Sequence, residues 1–205
     1  MNASVLQTIK AQQNFTLLPT ERLKKLQPLI QAIQNKVNQH KTIRLNFICT
    51  HNSRRSHLAQ VWAQTAAAYY KIEPITCFSG GTVATALHPK IIKTLESQGF
   101  DVYKNIEAEN PIYFIKFDAN ALPIIGFSKP IQHPFNPESN FIAVLTCNDA
   151  DQNCPIVFGA DARIALTYQD PKVADGQPNQ TEVYLQRSQQ IATEMLYVFS
   201  QIKMP

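Results

Sequence analysis

The residues TIRLNFIC (42–49) read as a buried strand, and the stretch that follows, RSHLAQVWAQTAAAYYKI (55–72), reads as an Ala- and Gln-rich helix. This pairing limits the fold more than any other feature, because it repeats. ITCFSGG (75–81) is a second strand candidate. HPKIIKTLESQGF (88–100) is a helix candidate, with Pro89 suited to its first turn and Gly99 to its stop. FIAVLTC (141–147) and ARIALTY (162–168) are further strands, and TEVYLQRSQQIATEMLYVFSQI (181–202) closes the pattern as a helix with Ile191, Met195 and Val198 on one side. Strands alternating with helices imply a mostly parallel sheet covered on both faces. Ligands of such sheets bind beyond the carboxyl ends of the strands. Cys49, Ser79 and Cys147 lie at strand ends in this reading and are expected to converge on one rim.

Two segments stand outside the alternation. PTERLKKLQPLIQAIQNKVNQH is expected to be a helix capped by Thr20, with Leu23, Leu26, Ile30, Ile33 and Val37 on one face and Pro28 as a point of bending. An earlier helix is expected around Ala3–Gln12. Residues 1–40 thus read as a helical N-terminal extension and residues 41–205 as the α/β domain. IYFIKF (112–117) and PIIGFS (123–128) suggest a hairpin inserted near 109–138.

Of the 205 residues, 44% are hydrophobic and 17% charged, which excludes a disordered chain. No apolar run approaches the ~20 residues that span a bilayer, and MNASVLQTIKAQQ lacks a basic-then-apolar leader pattern, so no membrane partner and a cytoplasmic setting are expected. Residues 1–60 carry nine Lys or Arg against a single acid, Glu21. These charges are spread out and lack interleaved aromatics, which favours a solvated helix plus a local anion site over a nucleic-acid surface. The cysteines are Cys49, Cys77, Cys147 and Cys154. In a cytosolic chain they are more readily reactive thiols than structural disulfides. No CxxC occurs and no His stands at ligand spacing from Cys147 or Cys154, so no metal or cofactor is expected. Cys77 reads as a small core residue, and His57 and His88 as surface or capping groups.

The loop between the first strand and its helix, Cys49-Thr50-His51-Asn52-Ser53-Arg54-Arg55-Ser56, has the form C-x5-R-S. Backbone N–H groups in such a loop point inward and form an anion nest, reinforced by the helix N-terminus. Arg55 offers a planar fork to two oxygens of a tetrahedral oxyanion. Positive surroundings of this kind lower a cysteine from about 8.5 to roughly 3.5–7.5 and favour the thiolate. Ser56 is placed to donate a hydrogen bond to that sulfur. Two more stretches stand out: Tyr-Gln-Asp170-Pro171 before the last helix, and TCNDADQNCP, which holds Cys147 and Cys154.

These three motifs together resemble the low-molecular-weight protein tyrosine phosphatase superfamily, and most closely its thioredoxin-coupled arsenate reductases. Cys49, Asn52, Arg55 and Ser56 match the family loop C-T-G-N-S-C-R-S, with His51 in place of the glycine and Arg54 in place of the second cysteine. Asp149, Ala150, Asp151 and Pro155 match the reductase segment C-x-D-A-D-x-x-C-P. Lys172 and Val173 follow Asp-Pro where phosphatases tend to carry tyrosine. The resemblance covers about residues 42–202 apart from the insertion.

It implies a three-layer, flavodoxin-like α/β sandwich around a four-stranded, mostly parallel sheet. It also implies a thiol relay. Cys49 attacks arsenate held by residues 50–56, Asp170 protonates the departing oxygen, Cys147 and then Cys154 pass the disulfide outward, and thioredoxin reduces it. Some reductases of the family hold potassium with an Asn, a Ser and a Glu; Asn52 and Ser79 are present here, but Gln60 stands where the Glu would be. Two alternatives remain open at this stage. One is a phosphatase acting on phosphotyrosine or small phosphate esters through Cys49, and the other is a non-catalytic oxyanion-binding module. Oligomeric state is left open by the sequence.

Overall fold

The computed structural model describes residues 1–153 and 156–204. The elements follow in chain order: α1 (Ala3–Gln12), α2 (Thr20–Asn38), β1 (Ile43–Cys49), α3 (Arg55–Tyr69), β2 (Ile75–Gly81), α4 (Pro89–Ser97), β3 (Asp101–Lys104), β4 (Tyr113–Lys116), β5 (Ile124–Gly126), β6 (Phe141–Leu145), α5 (Asn148–Asn153), β7 (Ala160–Ala165) and α6 (Gln180–Ser200). Four strands form one sheet in the order β2-β1-β6-β7, every neighbour parallel. Both faces of this sheet are covered, giving the three-layer α/β architecture that the alternation implies.

Strand β1 lies at the centre, which explains its apolar content. Leu45 and Phe47 pair in register with Ile142 and Val144 of β6 and share one core with residues of α3 and α6. On the opposite face Ile48, Ala143 and Leu145 pack with Ala150 of α5, with Ile131 against them. Helix α3 buries residues nearly all round, and its Ala59, Ala63, Ala66 and Ala67 leave room for close approach to its neighbours. Trp62 fixes the angle with α6: its indole N–H donates to Ser188 Oγ at 2.9 Å and its ring meets Phe100 edge-on.

The N-terminal helices are part of this core. Val5 and Ile9 of α1 and Leu26, Leu29, Ile30, Ile33 and Val37 of α2 are buried in the same cluster as Leu45 and Phe47. Helix α2 lies against α6, β7 and β1. Pro19, in extended conformation, stands at the N-cap, and Thr20 is the first helical residue, so Thr20 is not the cap that the sequence suggests. Leu23 is only half-buried and Leu29 completes the stripe instead. Pro28 is exposed on the outer face, where the helix runs through it.

The inserted hairpin is β4–β5, and it recruits β3 into a three-stranded antiparallel sheet. Strand β3 escapes sequence reading because its four residues, DVYK, are mostly exposed and carry no alternation worth the name. Helix α5 escapes it as well, since NDADQN reads as a polar loop. Its first turn is held by Cys147: the Ala150 N–H points at Cys147 Sγ at 3.3 Å and the Asp151 N–H at the Cys147 carbonyl at 3.0 Å. Arg163 of β7 grips Asp151 from outside. Among the described residues no helix is long and apolar enough to cross a membrane.

Candidate active site

The loop 49–55 leaves β1 at the carboxyl rim of the sheet and ends in the first turn of α3. Its backbone is turned inside out by its surroundings, and each carbonyl finds an outer donor. Cys49 O accepts from the Thr82 N–H at 3.2 Å, Thr50 O from the Val83 N–H at 3.0 Å, and Ser53 O from the His88 N–H at 3.0 Å. His51 O accepts from Ser128 Oγ at 2.8 Å and from Thr85 Oγ1 at 3.2 Å. Asn52 O accepts from His57 Nε2 at 2.9 Å. With the carbonyls drawn outward, the N–H groups of residues 50–54 are taken by no acceptor among the described residues. That is the electrostatic profile of an anion nest.

Asn52 makes the turn possible. It has φ of 44°, the left-handed region, whereas His51 has no positive φ and needs no glycine. The Asn52 side chain is buried and works structurally: Nδ2 donates to Ser56 Oγ at 2.9 Å, and Oδ1 accepts from the Lys129 N–H at 3.0 Å. Ser56 Oγ thus accepts a hydrogen bond from Asn52 and turns its own hydrogen toward Cys49 Sγ, 3.1 Å away. Gly81 presses on the loop from β2. A Cβ there would come within 2.8 Å of Asn52 N and Thr50 O, so only glycine fits.

The two arginines take different directions. Arg55 Nη2 donates to Asp170 Oδ2 at 2.6 Å and Nη1 to the Tyr168 carbonyl at 3.0 Å. The loop arginine and the Asp of the Asp-Pro turn are therefore brought together, 115 residues apart in sequence. Asp170 Oδ1 also accepts from the Lys172 N–H and caps a short turn. Arg54 points elsewhere. Its Nε donates to Tyr184 Oη at 2.7 Å and its Nη2 to Asp175 Oδ2 at 2.7 Å. Two of its three guanidinium nitrogens are thus engaged by Tyr184 and Asp175. Asp175 is held below its ordinary range: burial pushes it up, but bonds from Tyr184 and Gln180 and the charge of Arg54 outweigh that. Burial and the same carboxylate raise Tyr184 to about 12.

Cys147 lies beside the loop. Its Sγ is 3.4 Å from Thr50 Oγ1, and it belongs to the same buried cluster as Cys49. Cys154 lies outside the described residues. Ser79 sits one layer below the rim, with its Oγ 3.3 Å from His57 Nδ1.

Two supporting residues escaped the sequence reading. His57, expected at the surface, is fully buried; desolvation and the nearby Lys129 charge lower it to about 3. Its Nε2–H bond to Asn52 O fixes the neutral tautomer and locks the left-handed turn. Lys129 is 1% exposed. Among the described residues its ammonium hydrogen-bonds the Phe127 carbonyl alone, at 3.3 Å, and lies 4.4 Å and 5.3 Å from the Phe127 and Phe135 ring centroids. Burial lowers it to about 7 from 10.5.

Between those two values the unfolded chain binds more protons than the folded one, so the penalty that burying Lys129 imposes on folding shrinks as pH rises from 7 to 10.5. Lys129→Met deletes that dependence. The variant is expected to be more stable than the parent below pH 7 by on the order of a few kcal/mol, with the gap closing toward pH 10. Paired denaturant titrations across this range check it, and a gap that does not vary with pH contradicts it.

A cysteine beneath unengaged amides, with an arginine and a carboxyl at its mouth, defines an enzyme that handles oxyanions through a thiol. No family model matches the chain. A protein named arsenate reductase 2, from Staphylococcus epidermidis (strain RP62A), is 30% identical over 125 residues, which is 61% of this chain and 76% of that protein. An arsenate reductase of Staphylococcus aureus (strain bovine RF122) is 29% identical over 109 residues, 53% of this chain and 63% of that protein. Among solved structures, a low-molecular-weight phosphotyrosine phosphatase from Vibrio cholerae O395 aligns with TM-score 0.53 and 11% identity, over 77% of this chain and 94% of that one. An arsenate reductase in its phosphate-binding state aligns with TM-score 0.50 and 20% identity, over 78% and 99%. The chain belongs to the arsenate reductase family of that Staphylococcus epidermidis relative, and it shares its fold with the low-molecular-weight phosphotyrosine phosphatase.

Proposed function

We propose that this enzyme reduces arsenate to arsenite through Cys49, Cys147 and Cys154. The observation that carries the reading is the second buried thiol next to the loop: Cys147 Sγ within 3.4 Å of Thr50 Oγ1, in one cluster with Cys49. Hydrolysis of a phosphate ester needs no such thiol. Relatives named arsenate reductase support the same choice.

In the proposed sequence, arsenate settles on the amides of residues 50–56 and the Arg55 fork. The Cys49 sulfur attacks arsenic, an As–O bond breaks, and Asp170 protonates the departing oxygen, which leaves as water. The Cys147 thiolate then attacks Cys49 Sγ. The S–As electron pair stays on arsenic, so As(V) becomes As(III), arsenite leaves, and a Cys49–Cys147 disulfide remains. Cys154 attacks Cys147 and frees Cys49. A dithiol reductant of the thioredoxin kind returns two electrons to the Cys147–Cys154 bond. This chemistry belongs in a reducing, cytoplasmic setting.

The test is arsenate-dependent oxidation of thioredoxin by the wild-type protein and by Cys147→Ser. The wild type is expected to turn over, and the variant to lose multiple turnover while still hydrolysing an aryl phosphate. Arsenate reduction that persists in Cys147→Ser defeats the relay. Aryl phosphate hydrolysis with no arsenate-dependent thiol oxidation in the wild type makes the protein a phosphatase instead.

A further inference from the structure

We propose that Arg22, on the N-terminal helix α2, is a positioning residue for the Arg55–Asp170 pair, so that the N-terminal segment takes part in catalysis. The inference rests on the reading of Arg55 as the oxyanion fork and Asp170 as the proton donor. The contacts form an unbroken chain. Arg22 makes a two-point bond with Glu194 of α6, Nε to Oε1 at 2.7 Å and Nη2 to Oε2 at 2.7 Å. Glu194 is 1% exposed, so the fork is locked in a place where water does not compete. The remaining nitrogen, Nη1, donates to the Thr167 carbonyl at 3.1 Å, and the guanidinium carbon stands 4.7 Å over the Tyr168 ring.

The peptide between Thr167 and Tyr168 is thereby held from both sides. Arg22 holds its carbonyl, and its N–H donates to the Thr146 carbonyl at 3.1 Å. The next carbonyl along, that of Tyr168, is the one that receives Arg55 Nη1 at 3.0 Å, while Nη2 of the same guanidinium holds Asp170. A tilt of the 167–168 peptide would swing that carbonyl and the carboxyl two residues later. Arg22 carries the hydrogen bond from the N-terminal helices to this peptide, and a forked side chain bonds Glu194 and Thr167 at once. Lysine at this place keeps the charge and loses one of the two duties.

The experiment uses the full chain and three readouts: steady-state turnover of arsenate and of an aryl phosphate, the affinity for inorganic phosphate, and a mutant cycle with Asp170→Asn. Arg22→Lys retains a cation beside Glu194, and the double variant Arg22→Met/Glu194→Gln leaves no lone buried charge, so folding is protected in two independent ways. Both are expected to keep the wild-type circular dichroism spectrum. Kcat is expected to fall about tenfold in Arg22→Lys and about 10- to 100-fold in the double variant, with KM changed far less. Phosphate affinity is expected to fall severalfold through the loosened Arg55. In an Asp170→Asn background the Arg22 changes are expected to add little further loss of kcat, because the group they position is already gone.

Turnover and phosphate affinity within twofold of wild type in both variants overturn the proposal. So does a loss that multiplies in full with that of Asp170→Asn, which marks a merely structural residue. If wild type turns over neither substrate, the functional reading fails, and the phosphate affinities alone decide whether Arg22 positions Arg55.

Discussion

Cys49→Ser is expected to abolish turnover of arsenate and of aryl phosphate, by about 10⁴-fold or more, and to leave phosphate binding largely intact. Both halves follow from the division of labour in the loop. In the proposed reading the anion is held by amides of residues 50–56 and by Arg55, none of which depends on the sulfur. The carbonyls of residues 49–53 stay pinned by Thr82, Val83, Ser128, His57 and His88 whatever atom occupies position 49. A serine oxygen accepts the Ser56 hydrogen bond but is a far weaker nucleophile at neutral pH. Measured kcat and phosphate affinity for the purified variant decide the matter. Residual turnover within a hundredfold of wild type places the nucleophile elsewhere, and lost phosphate binding makes the sulfur part of the cradle.

Asp170→Asn carries the second large effect, and it moves two quantities in opposite directions. Arg55 is paired with Asp170, Nη2 to Oδ2 at 2.6 Å. An incoming oxyanion competes with that carboxylate for the same fork, and the two negative charges repel. Asparagine neither competes as strongly nor repels, so phosphate is expected to bind severalfold tighter. It also has no proton to give, so kcat is expected to fall by about 10²–10³-fold. Calorimetric titration with phosphate alongside turnover assays gives both numbers. Weaker phosphate binding in Asp170→Asn, or unchanged kcat, removes Asp170 from the site.

What the sequence disclosed and what it hid divides by distance along the chain. The central sheet and the loop between β1 and α3 were legible because their cues are local: apolar strands, helical periodicity, and C-x5-R-S within eight residues. The same cues placed Cys147 at a strand end and Asp170 between the last strand and the last helix. The partners that shape the loop were not legible, because they come from far away and carry no motif. Lys129 and Ser128 bond Asn52 and His51 from 77 residues off. Tyr184 and Asp175 take Arg54 out of the cradle from 130 and 121 residues off.

Arg22 reaches Glu194 across 172 residues, which is why a segment that reads as an appendage proves to be packed into the core. His57 misled for a different reason. A polar residue at the start of a helix usually faces water, but this one faces the sheet and spends its ring on Asn52 and Ser79. His51 stands in place of the family glycine without strain, because the left-handed residue of the loop is Asn52.

The most direct measurement is a phosphate titration of the isotope-labelled protein followed through the backbone amide resonances of residues 50–56 and the side-chain resonances of Arg55. Saturable shifts gathered on those groups, with one affinity for all of them, are the expected result. Resonances of this loop that stay in place while phosphate binds elsewhere, or fails to bind at all, contradict the cradle on which every step above depends.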